Sequence, residues 1–222
     1  MYETIRIVGK IRPKYILWEN VKNILSQKHK HNFDRYIETL DALGYNSYYQ
    51  VLNAKDYGIP QNRERVYTIS IRNDLDKGSF KFPKKEELRL RLKDMLEEKV
   101  NAESLESKTI CLNSKAGRNG IEGLQPSLKD RIYDTRGISA CIATSNFFMP
   151  KYLVNGKTRS LSAKECWRLM GFDDEDFEKA SKVCSNSQLY KQAGNSIVVN
   201  VVEKLFKELF KEVQVNEYRR KH

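Results

Sequence analysis

Two arginines stand one residue apart, Arg63 and Arg65, in the run Gly58-Ile59-Pro60-Gln61-Asn62-Arg63-Glu64-Arg65-Val66-Tyr67. On an extended segment, residues two apart project to the same side. Paired guanidinium forks of that kind suit a base carbonyl together with a nearby phosphate. A solvated, charged strand start explains the same residues more plainly. Glu19 follows an apolar run in Pro13-Lys14-Tyr15-Ile16-Leu17-Trp18-Glu19-Asn20-Val21. A carboxylate there can do chemistry, although many such groups only cap the next helix. In Gln192-Ala193-Gly194-Asn195-Ser196-Ile197-Val198-Val199 a Gly-Asn-Ser turn precedes an apolar stretch. Amides at a helix N-terminus hold an anion or the polar edge of a ligand, and capping by Asn195 accounts for the pattern equally. The cysteines, Cys111, Cys141, Cys166 and Cys184, fit no metal-binding CxxC spacing, so reduced thiols are expected and no metal.

The elements that must carry these residues read as follows. Residues 14–18 suit a buried parallel strand. Phe33, Tyr36, Ile37, Leu40 and Leu43 recur at helical spacing, and Gly44 is placed to end that helix. Residues 48–53 and 65–71 read as strands, which makes residues 1–76 an α/β segment. Residues 77–159 combine a charged linker, with a short helix near Leu88–Leu96, and a small irregular β-rich part broken by Gly117, Gly120, Gly123, Gly137 and Gly156. Helices return in residues 160–222. Ser162 and Glu165 form a capping-box pair within Arg159-Ser160-Leu161-Ser162-Ala163-Lys164-Glu165-Cys166-Trp167-Arg168-Leu169-Met170-Gly171-Phe172. A stripe from Ile197 to Val213 marks a long final helix with Asn195 as its N-cap, followed by the basic tail Arg219–His222.

Bulk properties narrow the classes. Hydrophobic residues make up 40% of 222, enough for a packed core and against wholesale disorder. No run approaches the roughly 20 apolar residues of a membrane span, and the N-terminus has no signal-peptide core, so a soluble cytoplasmic protein is expected. Net charge is +11, and residues 108–159 carry +6 of it from nine Lys/Arg and three acids. That concentration suits nucleic-acid phosphates, as well as a merely basic surface.

Taken together and in order, Glu19-Asn20-Val21, Gly58–Tyr67, Arg159–Phe172 and Gln192–Val202 resemble the sixth, eighth, ninth and tenth conserved blocks of the C5-cytosine DNA methyltransferase family. Asp130–Ile138 and Tyr152–Arg159 are similar to the target-recognition domain of its bacterial members. The resemblance implies a Rossmann-like, S-adenosylmethionine-dependent α/β domain with an inserted β-rich recognition domain. It implies methyl transfer to C5 of a cytosine flipped out of double-stranded DNA, as in restriction-modification systems. Carried over by position, Glu19 holds the N3/N4 edge of the cytosine, Arg65 contacts O2, and Arg63 lies near the phosphate backbone. Asn195 and Ser196 line the cofactor. Arg131 falls where related domains contact guanine, with Arg136 and Gln61 as further DNA contacts.

The sequence also departs from the family. Members carry a Gly-rich cofactor loop and a Pro-Cys nucleophile ahead of the Glu-Asn-Val block, and no cysteine here follows a proline. The expectation is therefore a C-terminal portion or subunit, inactive alone. It would need a missing N-terminal half, or would pair with a second copy through an exposed edge of strand 14–18. A DNA-binding remnant without catalysis and a tRNA-modifying relative are the alternatives.

Overall fold

The structure, a computed structural model, describes residues 1–115, 125–127, 130–144 and 149–211. The glycines at 117, 120 and 123, Val213 and the basic tail lie outside the described residues. Two compact units emerge: Met1–Asn53, Glu64–Lys84 and Lys204–His222 form one, Ala54–Arg63 and Lys85–Glu203 the other.

The first unit holds α1 (Tyr2–Ile11), β1 (Tyr15–Val21), α2 (Lys30–Ala42), β2 (Tyr45–Asn53) and β3 (Glu64–Arg72). The apolar spacing of α2 becomes a buried face of Phe33, Tyr36 and Leu40. Gly44, at φ 78°, follows its C-cap as expected, since a Cβ disfavours that left-handed conformation. Val8, Ile16, Tyr36, Leu40 and Tyr45 form the core, and the Trp18 ring packs 6.2 Å from Phe33 and 4.7 Å from Tyr36.

The sheet order is β1-β3-β2, with both pairings antiparallel. This corrects the expectation for residues 14–18. β1 and β2 run in the same direction, as a β-α-β connection dictates, but β3 lies between them and runs against both. β3, not β1, is therefore the central strand: its residues Val66 to Ile71 are buried, whereas only Ile16 is buried in β1. Among the described residues β1 pairs with β3 alone.

The second unit contains β4 (Ile132–Asp134), β5 (Lys151–Val154), β6 (Lys157–Ser160), α3 (Ala163–Arg168), α4 (Asp174–Ser181) and α5 (Asn186–Asn195). β4 pairs parallel with β5, which turns at Asn155-Gly156 into antiparallel β6. The capping box at Ser162 and Glu165 is present at α3. Residues 92–95 form a single 3-10 turn where a short helix was expected. α6 (Val199–Leu209) begins in this unit and ends in the first. It starts after Ile197 and Val198, so Asn195 is not its N-cap. Asn195 is instead the last residue of α5, whose own N-cap is Ser185. Among the described residues no helix is long and apolar enough to cross a membrane.

Candidate functional site

In the first unit the chemistry gathers at the C-terminal end of β1. The β1–β3 register sets Glu19 opposite Tyr67 and Val21 opposite Arg65. Arg65 is thus the diagonal neighbour of Glu19 on one face of the sheet, within reach for long side chains. Arg65 Nε lies 3.2 Å from Glu19 Oε1, with the two side chains 17% and 19% exposed. Arg65 Nη1 also donates to the Glu64 carbonyl at 2.8 Å, which fixes the plane of the guanidinium. Beside them, Asn20 Oδ1 accepts from the Val21 amide, and Lys22 pairs with Glu64. A carboxylate and a guanidinium side by side present adjacent accepting and donating edges to a planar ligand.

The second unit holds the loop that precedes β3. Pro60 to Asn62 run along Ser139: the Ser139 amide donates to the Pro60 carbonyl at 2.7 Å, and the Asn62 amide to the Ser139 carbonyl at 2.8 Å. Gln61, expected at the DNA, is fully buried. Its Nε2 donates to the Leu169 carbonyl at 2.8 Å, and its Oε1 accepts the Ile142 amide at 3.1 Å, so the amide serves the fold. Arg63 is only 4% exposed. Its Nη2 donates to the carbonyls of Gly194 (2.9 Å) and Ser196 (3.1 Å), and its Nη1 to Cys141 Sγ (3.5 Å). The expected grip of one ligand by both arginines is not what the structure shows. Arg65 pairs with a carboxylate, while Arg63 is engaged with main-chain carbonyls.

Those carbonyls end α5, which corrects the reading of residues 194–196 as the start of a helix. A helix C-terminus carries partial negative charge, so it favours Arg63 and disfavours an anion. Asn195 is exposed there and Ser196 half-buried, with Ser196 Oγ donating to the Ala193 carbonyl at 2.9 Å.

Arg131 and Arg136 flank β4. Arg131 is half-buried and its Nε donates to the Pro126 carbonyl at 2.9 Å. Arg136 forks onto Asp134 at 2.7–3.1 Å, with its side chain 43% exposed. That fork holds the Asp134 carboxyl below its ordinary range despite burial. Sequence reasoning missed Cys141, which no local pattern marks. It also missed the Arg159–Glu165 pair, whose only signal was Glu165 at the third position of α3.

The sequence model of the C-5 cytosine-specific DNA methylase family matches residues 1–211. The chain is 41% identical over 95% of its length to the type II methyltransferase M2.ScrFI of Lactococcus lactis subsp. cremoris, of which it spans 58%. It is 40% identical over 91% of its length to the type II methyltransferase M.HhaI of Haemophilus parahaemolyticus, of which it spans 64%. Among solved structures, it superposes on the S. pombe Dnmt2 methyltransferase with a TM-score of 0.66 at 22% identity, over 96% of this chain and 72% of that one. The Entamoeba histolytica methyltransferase EhMeth gives 0.65 at 21%, over 90% and 63%. At such identities the superpositions speak for the fold. It is part of the α/β Rossmann-like fold of S-adenosylmethionine-dependent methyltransferases, with a small β-rich part inserted in the sequence.

Proposed function

Because the chain belongs to the C-5 cytosine-specific DNA methylase family, we propose that its residues read double-stranded DNA and hold a flipped cytosine for methylation at C5. The observation that carries this reading is the Glu19–Arg65 pair. Cytosine presents a donor at N4, a site at N3 that becomes a donor when protonated, and an acceptor at O2. Glu19 accepts from the first two and Arg65 donates to the third. Thymine would set its O4 acceptor against the carboxylate, so the pair also discriminates. A proton taken up from solvent at N3 and held there by the Glu19 carboxylate, together with positive charge at O2 from Arg65, draws electrons from the ring when a thiolate adds to C6. Asn195 and Ser196 would hold S-adenosylmethionine, which would supply an electrophilic methyl group.

The thiolate itself must come from outside these 222 residues, which contain no Pro-Cys step. We place its source on the edge of β1 that pairs with no strand among the described residues. An unpaired strand edge favours another strand, and Ile7 and Ile11 of α1, 45% and 68% exposed, add apolar surface in the same unit. Arg131 and Arg136 of the β4 segment act as DNA readers on this proposal. Four cysteines in no disulfide and the type II relatives support a cytoplasmic, restriction-modification setting.

The test uses the chain alone and duplexes with either a mismatched cytosine or a mismatched thymine, since a mismatched base costs less to flip. Tighter binding of the cytosine duplex, abolished by Glu19→Gln, is expected. Equal affinities, or equal binding of tRNA, would refute the reading. Arg131→Ala should cost about 1–3 kcal/mol on the preferred sequence and much less elsewhere. With labelled S-adenosylmethionine the chain alone should form no 5-methylcytosine; stoichiometric product would remove the need for an outside cysteine.

A further inference from the structure

We infer that Arg63 is a positioning residue: it docks residues 139–144 onto the end of α5 and so governs sequence discrimination, without gripping a phosphate. The inference rests on the reading of this chain as a DNA-binding methylase part. Three observations carry it. First, Arg63 is 4% exposed, and its guanidinium bridges Cys141 Sγ and the carbonyls of Gly194 and Ser196. A buried guanidinium taken up by helix-end carbonyls is held by charge-assisted hydrogen bonds and by the helix dipole. Second, the same stretch is fastened again two and three residues earlier, where Gln61 takes the Ile142 amide and Pro60 takes the Ser139 amide. Third, the main chain of 143–144 lies directly on α5. A Cβ added at Gly194 would sit 2.5 Å from the Ala143 carbonyl oxygen and 2.6 Å from Thr144 Cα. Main chain cannot swing aside as a flexible side chain would, so glycine is required for that approach.

Residues 139–144 follow directly on the segment with Arg131, β4 and Arg136. If their far end is loosened, that segment keeps its own charges but loses the fixed register that bidentate base contacts demand. A phosphate-gripping arginine would behave differently. Its loss would lower affinity alike on all sequences and flatten the salt dependence by about 0.9 in log–log slope.

The two roles separate in one experiment on the full 222-residue chain. Duplexes with randomised central positions are enriched by the wild-type chain. Affinity for an enriched duplex is then compared with affinity for the unselected pool, across a salt series. Arg63→Lys keeps the charge but cannot span the three acceptors, and Arg63→Met removes both. Each should cut the discrimination ratio tenfold or more while the salt slope on the pool stays at the wild-type value. Gly194→Ala disturbs the same junction while leaving the arginine in the chain, and should also cut the ratio. It keeps the test decisive if Arg63→Met fails to fold. A slope lowered by about 0.9 with discrimination retained in Arg63→Met identifies a phosphate contact and overturns the inference. So does a Gly194→Ala ratio within twofold of wild type. A wild-type chain that binds no duplex at all would defeat the proposed function itself, a result distinct from either.

Discussion

Glu165 and Glu19 each meet an arginine, yet the two pairs are built differently. Glu165, with a side chain 1% exposed, takes a two-pronged fork from Arg159 at 2.8 Å on both oxygens. It further accepts the Ser162 amide at 2.8 Å and the Glu97 amide at 3.0 Å. Four hydrogen bonds fill such a carboxylate. Glu19 meets Arg65 through Nε at 3.2 Å, and both side chains remain about a fifth exposed. The first arrangement ties β6, α3 and the chain at residue 97 together in the second unit. The second, at the end of a strand, is open to a ligand. Burial of the carboxylate, more than the residue types, separates a structural ion pair from one available for chemistry.

The largest expected effect tests the saturated pair. Glu165→Ala leaves a partly buried guanidinium and two amides without their acceptor, so unfolding of the second unit in urea should come about 3–5 kcal/mol more easily. Burial pushes the Glu165 carboxyl up, but the Arg159 fork and the two amides outweigh it and hold the group below its ordinary range. A carboxylate with a depressed folded-state pKa contributes stability above its unfolded pKa and loses it as pH falls through the folded value. Wild-type stability should therefore decline below the ordinary glutamate range of about 4.3, and Glu165→Ala should show a shallower acid limb over the same interval. Parallel limbs would mean that other carboxylates govern the acid response.

Next in size is the cap beside that pair. Ser162 Oγ accepts the Glu165 amide at 3.1 Å and donates to Glu97 Oε2 at 2.6 Å. Ser162→Ala should cost about 1 kcal/mol, read by the same urea melts. A cost approaching that of Glu165→Ala would show that the cap, and not the fork, holds the junction.

Ser162 and Glu165 were legible in the sequence because a capping box is a local pattern: two residue types at a fixed spacing next to an apolar run. Gly44 and strands β2 and β3 were legible for the same reason. What was not legible depended on partners distant in the chain. The apolar run of β1 reads as a central parallel strand because nothing local reveals that β3 returns between β1 and β2. Gly194 reads as part of a turn, since glycine breaks helices on its own account; it stands inside α5 because the main chain at 143–144 leaves no room for a Cβ. Gln61 and Arg63 read as surface polar residues, and their burial follows from carbonyls and an amide 81 to 133 residues further along the chain. Glu19 and Arg65 were picked out by family resemblance, while their adjacency follows from the β1–β3 register.

The smallest stability effect belongs to the open pair, and it is the sharpest test of the comparison. Glu19→Gln keeps the side chain's shape and one acceptor oxygen for Arg65 while removing the charge. A partly exposed ion pair contributes no more than about 1 kcal/mol, so unfolding of the first unit should shift by less than that. The same substitution should erase the preference for a mismatched cytosine over a mismatched thymine. The amide's NH2 group would face the cytosine N4 donor or, after rotation, could donate to the thymine O4 acceptor. Stability and recognition thus separate at Glu19, whereas Glu165→Ala should lower stability without acting on base choice at the Glu19–Arg65 pair. The check is a urea melt and a pair of anisotropy titrations on each variant. If Glu19→Gln instead destabilised the first unit by several kcal/mol and left the cytosine preference intact, Glu19 would be a second structural carboxylate, and the distinction between open and saturated pairs would collapse.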